Sequence, residues 1–188
     1  MILHMNDLPP HGPRGLGLRP AEAEGSPVLI PTDEASLIRA ALLAYSDRSV
    51  PSETTIRVRY KDTDVMGIVY YGNYLTYFEV GRVEYLRERG YPMSEVQRKI
   101  HLPVVEASAE YHRPARLDDL LRIRTWVGER RRASFTFHYA VHHGETHVLI
   151  ATGQTRHCCL EPESQKLVSV PEWLGTILRV EKGERPDD

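Results

Sequence analysis

From Ser52 onward the chain alternates between two hydrophobic rhythms. Ile56, Val58 and Tyr60 alternate with Arg57 and Arg59, a two-residue period that predicts a half-buried strand. After a loop at 61–67 the period lengthens: between about Tyr70 and Arg89, Tyr74, Phe78, Gly81 and Tyr85 fall on one line, with Leu75, Arg82 and Leu86 beside it. That spacing predicts one long helix. Gly90 ends it with a left-handed cap, and Tyr91-Pro92 cannot continue it.

The two-residue period then returns. Val105, Ala107, Ala109 and Tyr111 alternate with Glu106, Ser108, Glu110 and His112. Leu121, Ile123, Thr125 and Val127 alternate with Arg122, Arg124 and Trp126, and Phe135, Phe137, Tyr139 and Val141 with Ser134, Thr136, His138 and Ala140. A last strand is expected over 148–160, after the Gly144 turn. Each strand should bury one face, and the short polar connections predict an antiparallel meander. The expectation is an α+β domain over residues 51–180. Pro171-Glu172-Trp173-Leu174 begins a short closing segment, and residues 181–188 read as a frayed tail.

Residues 1–50 have another character. Leu8-Pro9-Pro10-His11-Gly12-Pro13 and Glu24-Gly25-Ser26-Pro27 read as a flexible extension. Within it, Thr32 or Asp33 can cap a short amphipathic helix over about 33–46, with Leu37, Ile38, Ala41, Leu42 and Tyr45 on one stripe.

Composition narrows the functional classes. A net charge of −2 offers no general attraction to a nucleic acid or an anionic membrane. No window has the uninterrupted apolar length of a membrane span, and the N-terminus lacks the pattern of a secretory signal, so a cytoplasmic location is expected. Cys158 and Cys159, adjacent on one strand, would make a strained bridge and are expected as free thiols. His138, His142, His143 and His147 do not suggest a metal, because strand residues four apart lie about 13 Å apart. No Gly-x-Ser-x-Gly elbow, phosphate-cradling glycine loop or Cys-x-x-Cys pair is present.

The segment leading from the first strand into the helix carries the chemistry. It places Asp64 beside a helix N-terminus, whose first N–H groups lack internal partners and can hydrogen-bond a carbonyl oxygen as it turns anionic. Gly67 permits the tight turn. On this reading Asp64 is a nucleophile or general base; on the alternative, Asp62 or Asp64 merely caps the loop or the helix. Glu79 is a second carboxylate, equally able to pair with Arg82 three positions on.

The run Tyr60-x-Asp62-Thr63-Asp64-x-x-Gly67-x-Val69-Tyr70-Tyr71-x-Asn73-Tyr74, continued by Tyr77-Phe78-Glu79 and Arg82, resembles the signature of the 4-hydroxybenzoyl-CoA thioesterase family. Pro103-Val104-Val105 and Tyr111-x-x-Pro114-Ala115-x-x-x-Asp118-Asp119-Leu120-Leu121 extend the resemblance over about residues 53–175. It implies a hotdog fold, an antiparallel sheet wrapped around the long helix, assembled as a homodimer or homotetramer with active sites at the dimer interface. It puts the catalytic aspartate on Asp64, the carbonyl-polarising amide on Tyr71, the supporting turn on Gly67 and an accompanying tyrosine on Tyr60. Many short-chain members carry a histidine where this chain has Tyr71, whereas the aromatic-acyl members place a tyrosine there.

The implied activity is hydrolysis of a short-chain or aromatic acyl-CoA. No cofactor or metal is demanded, because a thiolate leaves readily. Arg131, Arg132 and Ser134 align with a basic turn and are candidates for the CoA phosphates. The rival is a non-catalytic hotdog module that binds acyl-CoA or an acyl carrier protein. A hotdog dehydratase would want a histidine where Tyr71 stands.

Overall fold

The computed structural model describes residues 51–180; the N-terminal extension, its expected helix at 33–46 and the tail at 181–188 lie outside them. The elements run β1 (Ser52–Arg57), a 3-10 turn (Tyr60–Asp62), α1 (Asn73–Glu88), α2 (Met93–Lys99), β2 (Val104–Tyr111), β3 (Leu120–Arg130), β4 (Ser134–His143), β5 (Leu149–Cys158) and α3 (Glu172–Ile177). The five strands form one antiparallel sheet in the order β1-β3-β4-β5-β2. This is the α+β hotdog architecture expected from the sequence.

The long helix lies on the sheet as its periodicity predicts. Tyr74, Tyr77, Phe78, Gly81, Tyr85 and Leu86 are buried against Leu121, Ile123 and Val127 of β3 and Phe135, Phe137, Tyr139 and Val141 of β4. Aromatic stacking supplies much of the contact, with Phe78 and Tyr139 ring centroids 4.5 Å apart and nearly parallel. Gly81 marks the closest approach, since a Cβ there would sit 2.4 Å from Thr125 Oγ1. Only a glycine lets helix and sheet come so near. Gly90, at φ +83°, provides the expected left-handed cap.

Two expectations need correction. Only β3, β4 and β5 form a meander; β2 crosses over to pair with β5, leaving β1 and β2 as the two edges. Nor does β2 bury one face: every residue from Val104 to Tyr111 is exposed except the half-buried Ala109. Among the described residues the long helix meets this edge strand only near its end, at Tyr111, and most of the strand is left uncovered. The helix α2 was not read from the sequence; it is seven residues long and buries one side chain, Val96. The closing segment is α3, which buries Leu174 and Ile177 and accepts the Tyr85 hydroxyl on the Ile177 carbonyl at 2.9 Å.

Candidate active site

The site grows out of the Asp62-Thr63-Asp64 loop, whose two aspartates have different surroundings. Asp62 is buried and accepts from Arg59 through Nε at 2.9 Å, Nη2 at 3.0 Å and the backbone amide at 3.0 Å. Burial alone would raise its carboxyl, but the Arg59 bonds and charge, helped by the nearby Tyr77 hydroxyl, outweigh this and hold it below the ordinary carboxylate value. Its carbonyl accepts the Tyr70 amide at 2.9 Å and Asn73 Nδ2 at 2.8 Å, tying the loop to the start of α1. Asp62 is a brace.

Asp64 faces outward. Its Oδ1 accepts the Met66 amide at 2.8 Å, while its own carbonyl accepts the Gly67 amide and its own amide donates to the Ile68 carbonyl, both at 2.9 Å. Gly67, at φ +70°, closes this turn in the region that favours glycine. Thus Asp64 does shape its own loop, as the capping alternative held. One carboxylate oxygen is spent on it, and among the described residues the other has no hydrogen-bond partner.

That carboxylate borders a cavity of about 420 Å³, lined by Asp64, Met66, Ile68 and Tyr71 on one side and Tyr111 and Arg113 on the other. Tyr71 lines the same cavity, and its amide is an unused donor. The peptide between Tyr70 and Tyr71 is trans, and its carbonyl accepts the Asn73 amide at 2.9 Å, so its N–H points the opposite way. No hydrogen bond is made by that N–H among the described residues. The N-cap of α1 is Gly72, whose missing side chain caps nothing. The helix mouth therefore keeps open donors beside a carboxylate, an arrangement able to polarise a carbonyl and attack it or activate water.

The other sequence candidates are distributed differently. Gly67 is in place as the turn of the Asp64 loop. Tyr60 is 83% exposed and does not line the cavity; its carbonyl receives the Thr63 hydroxyl at 3.0 Å. Arg131, Arg132 and Ser134 sit at the β3–β4 turn, where Arg131 pairs with Glu129 at 3.0 Å and Arg132 reaches Ser169 at 3.3 Å. They belong to another surface than the Asp64 cavity. Glu79 and Arg82 lie 3.9 Å apart and border a separate cavity, with Gln97, His101 and Gln165.

Tyr111, Arg113 and Tyr74 were missed as site residues. Tyr111 and Pro114 belong to the family-like run, so a signal existed for the segment. Nothing in spacing alone brings the end of β2 to the mouth of α1.

Comparison with known proteins agrees with this geometry. A family profile described as the thioesterase-like superfamily matches residues 58–178. The acyl-CoA thioester hydrolase YbgC of Escherichia coli is 30% identical over 118 residues, spanning 62% of this chain and 87% of that protein. The 1,4-dihydroxy-2-naphthoyl-CoA hydrolase of Synechococcus elongatus is 29% identical over 126 residues, 65% of this chain and 91% of that one. A crystal structure of a hypothetical protein from Aquifex aeolicus superimposes with a TM-score of 0.65 at 32% identity, covering 69% of this chain and 100% of that one. With its profile match running from residue 58 through the long helix and strands β2 to β5 to residue 178, this chain belongs to the thioesterase-like superfamily.

Proposed function

We propose that this protein hydrolyses the thioester of a short-chain or aromatic acyl-CoA to the free acid and CoA. The observation that carries the reading is that Asp64, with one carboxylate oxygen unbonded, and Tyr71, with an unbonded amide, line the same cavity. The substrate's carbonyl oxygen accepts from that amide, which stabilises the negative charge that develops on it. Asp64 then acts in one of two ways. It attacks the carbonyl carbon to give a mixed anhydride that water cleaves, or it takes a proton from a water that attacks directly. Either way a C–O bond replaces the C–S bond, and the departing thiolate recovers a proton to leave as CoA. The tyrosines at the cavity and the aromatic substrate of the Synechococcus relative both favour an aromatic acyl group.

The active form is a homodimer joined along β2. Support comes from exposed apolar residues on that strand, Val104, Val105 and Tyr111, and from Met66, Tyr71 and Leu75 on the segment that leads from the Asp64 loop into α1. An open strand edge flanked by such residues fits a second copy of itself. The phosphates of CoA are assigned to Arg131, Arg132 and Ser134, whose charge and position on an exposed turn suit the nucleotide end rather than the thioester. A cytoplasmic location suits the free thiols of Cys158 and Cys159. No helix among the described residues is long and apolar enough to cross a membrane.

The test is thiol release from a panel of acyl-CoAs by purified protein and by Asp64→Asn. The variant should lose at least about a hundredfold in kcat while keeping its melting temperature. Near-normal turnover by the variant would reject Asp64. Tight binding of every acyl-CoA without turnover by the parent protein would favour the non-catalytic module.

A further inference from the structure

Two peptide planes meet at the Tyr71 Cα. The plane that contains the Tyr71 N–H is held at one point, through the Tyr70 carbonyl, which accepts the Asn73 amide at 2.9 Å. The next plane contains the Tyr71 carbonyl, and the helix holds it loosely: the Tyr74 amide approaches at 3.4 Å, and the following bond, from Leu75 to Gly72, is 3.3 Å. Both are at the long end of backbone hydrogen bonding.

A shorter hold comes from the sheet. The Tyr111 hydroxyl donates to the Tyr71 carbonyl at 3.1 Å, from a ring that lies 5.2 Å from that of Tyr74 and borders the Asp64 cavity. Tyr111 is the last residue of β2, where it pairs with Ala151 of β5. Its hydroxyl thus links the first turn of the helix to the edge strand, 40 residues further along the chain.

We propose that Tyr111 is a positioning residue for thioester hydrolysis, its hydroxyl holding the Tyr71 carbonyl so that the Tyr71 amide stays aimed at the substrate's carbonyl oxygen. The proposal rests on the acyl-CoA thioesterase reading. Removing the hydroxyl leaves the N–H plane held only through the Tyr70 carbonyl, and a donor free to swing about that one hold loses strength mainly in the transition state, where charge on the oxygen is greatest. The effect should therefore fall on kcat rather than KM.

The experiment compares Tyr111→Phe with the parent protein on whichever acyl-CoA is turned over, with melting temperature and oligomeric mass measured alongside. The expected result is a kcat lower by roughly tenfold, KM within about twofold and an unchanged fold and mass. Unchanged kcat, or a loss confined to KM, overturns the proposal, because ring packing or substrate contact would then be the residue's whole role. Should the Phe variant fold poorly, site-specific 4-aminophenylalanine and 4-methylphenylalanine at position 111 decide the matter. Both fill the ring's space, and only the first carries a donor, so equal turnover by the two overturns the proposal. Asp64→Asn separates the levels of inference. If that variant retains turnover the thioesterase mechanism itself fails, whereas an inactive Asp64→Asn beside a fully active Tyr111→Phe defeats only the role of Tyr111.

Discussion

Asp62 and Arg59 are locked by two side-chain hydrogen bonds, at 2.9 and 3.0 Å, in the turn that delivers Asp64 to its cavity. Because Asp62 also receives the Arg59 amide and offers its carbonyl to Tyr70 and Asn73, its loss should unfasten the loop as a whole. Asp62→Ala should cost about 2 kcal/mol, less than a fully buried pair because Arg59 is half exposed to solvent. Melting temperature would fall together with kcat. A variant of normal stability that had lost activity would contradict the division of labour between the two aspartates.

The same pair sets a direction with pH. The folded carboxyl of Asp62 lies below its unfolded value, so the folded state holds fewer protons than the unfolded one just below that value. The stabilisation is complete above the unfolded carboxylate range and is lost as pH falls through the folded value. Denaturant midpoints measured from neutral pH into that acidic range should drop less steeply for Asp62→Asn than for the parent protein. Parallel curves would show that Asp62 does not contribute.

His157 gives a second pH effect, in a higher window. It is buried between Phe135 and Phe137, with Nδ1 donating to the Leu102 carbonyl at 3.1 Å. Its Nε2 must then accept the Thr155 hydroxyl at 2.9 Å, and Thr155 in turn accepts the Tyr139 hydroxyl at 2.6 Å. Burial pushes its pKa down to about 4 against the Leu102 bond, and the Arg82 charge adds to the fall. Between about 6.5 and 4 the unfolded chain binds a proton that the folded one refuses, so stability falls as pH drops, by about 3 kcal/mol in all. His157→Gln should be less stable at neutral pH yet show a flatter dependence across that window. An unchanged slope would remove His157 as its source.

Much of this arrangement was legible in the sequence, for identifiable reasons. The line Tyr74, Phe78, Gly81 and Tyr85 and the alternation of β3 were correct because each of these elements buries one face, whereas the central strand β4 also buries Thr136 and Ala140 on its second face. The alternation of β2 misled because the face it implies is left largely uncovered by the described residues. Its place beside β5 depends on pairing across some 50 residues, such as Ala107 with Thr155, which no local pattern encodes. At the site, Asp64, Gly67 and Tyr71 lie within one short run and were read together. Tyr111 was not, because its link to Tyr71 is a contact in space between the end of a strand and the start of a helix.

Gly81 tests how closely helix and sheet must approach. In Gly81→Ala the new Cβ would meet Thr125 Oγ1 at 2.4 Å and Ile123 Cγ2 at 3.0 Å, both on the buried face of β3. Helix propensity favours the alanine by about 1 kcal/mol, but overpacking in a filled core costs about 1 to 3 kcal/mol. The clash should win, because Thr125 and Ile123 are fully buried and cannot turn aside into solvent. A net loss of about 1 kcal/mol is expected in chemical denaturation. A stabilised variant would mean that the helix can lift off the sheet at little cost.

The open edge of β2 makes the oligomer testable. Two copies pairing antiparallel along β2 with the two-fold axis at Ala107 would set Val104 opposite Glu110 and each Ala107 opposite its own counterpart. One substitution on that axis therefore introduces two like charges at close range. Ala107→Asp should therefore convert the proposed dimer to a monomer by light scattering. The side chain is exposed on the single chain, so the domain itself should still fold. Because Tyr111 lies on the same strand and borders the Asp64 cavity, the monomer should also lose thioesterase activity. A dimeric Ala107→Asp would move the interface elsewhere, and an active monomer would show that one chain completes the site alone.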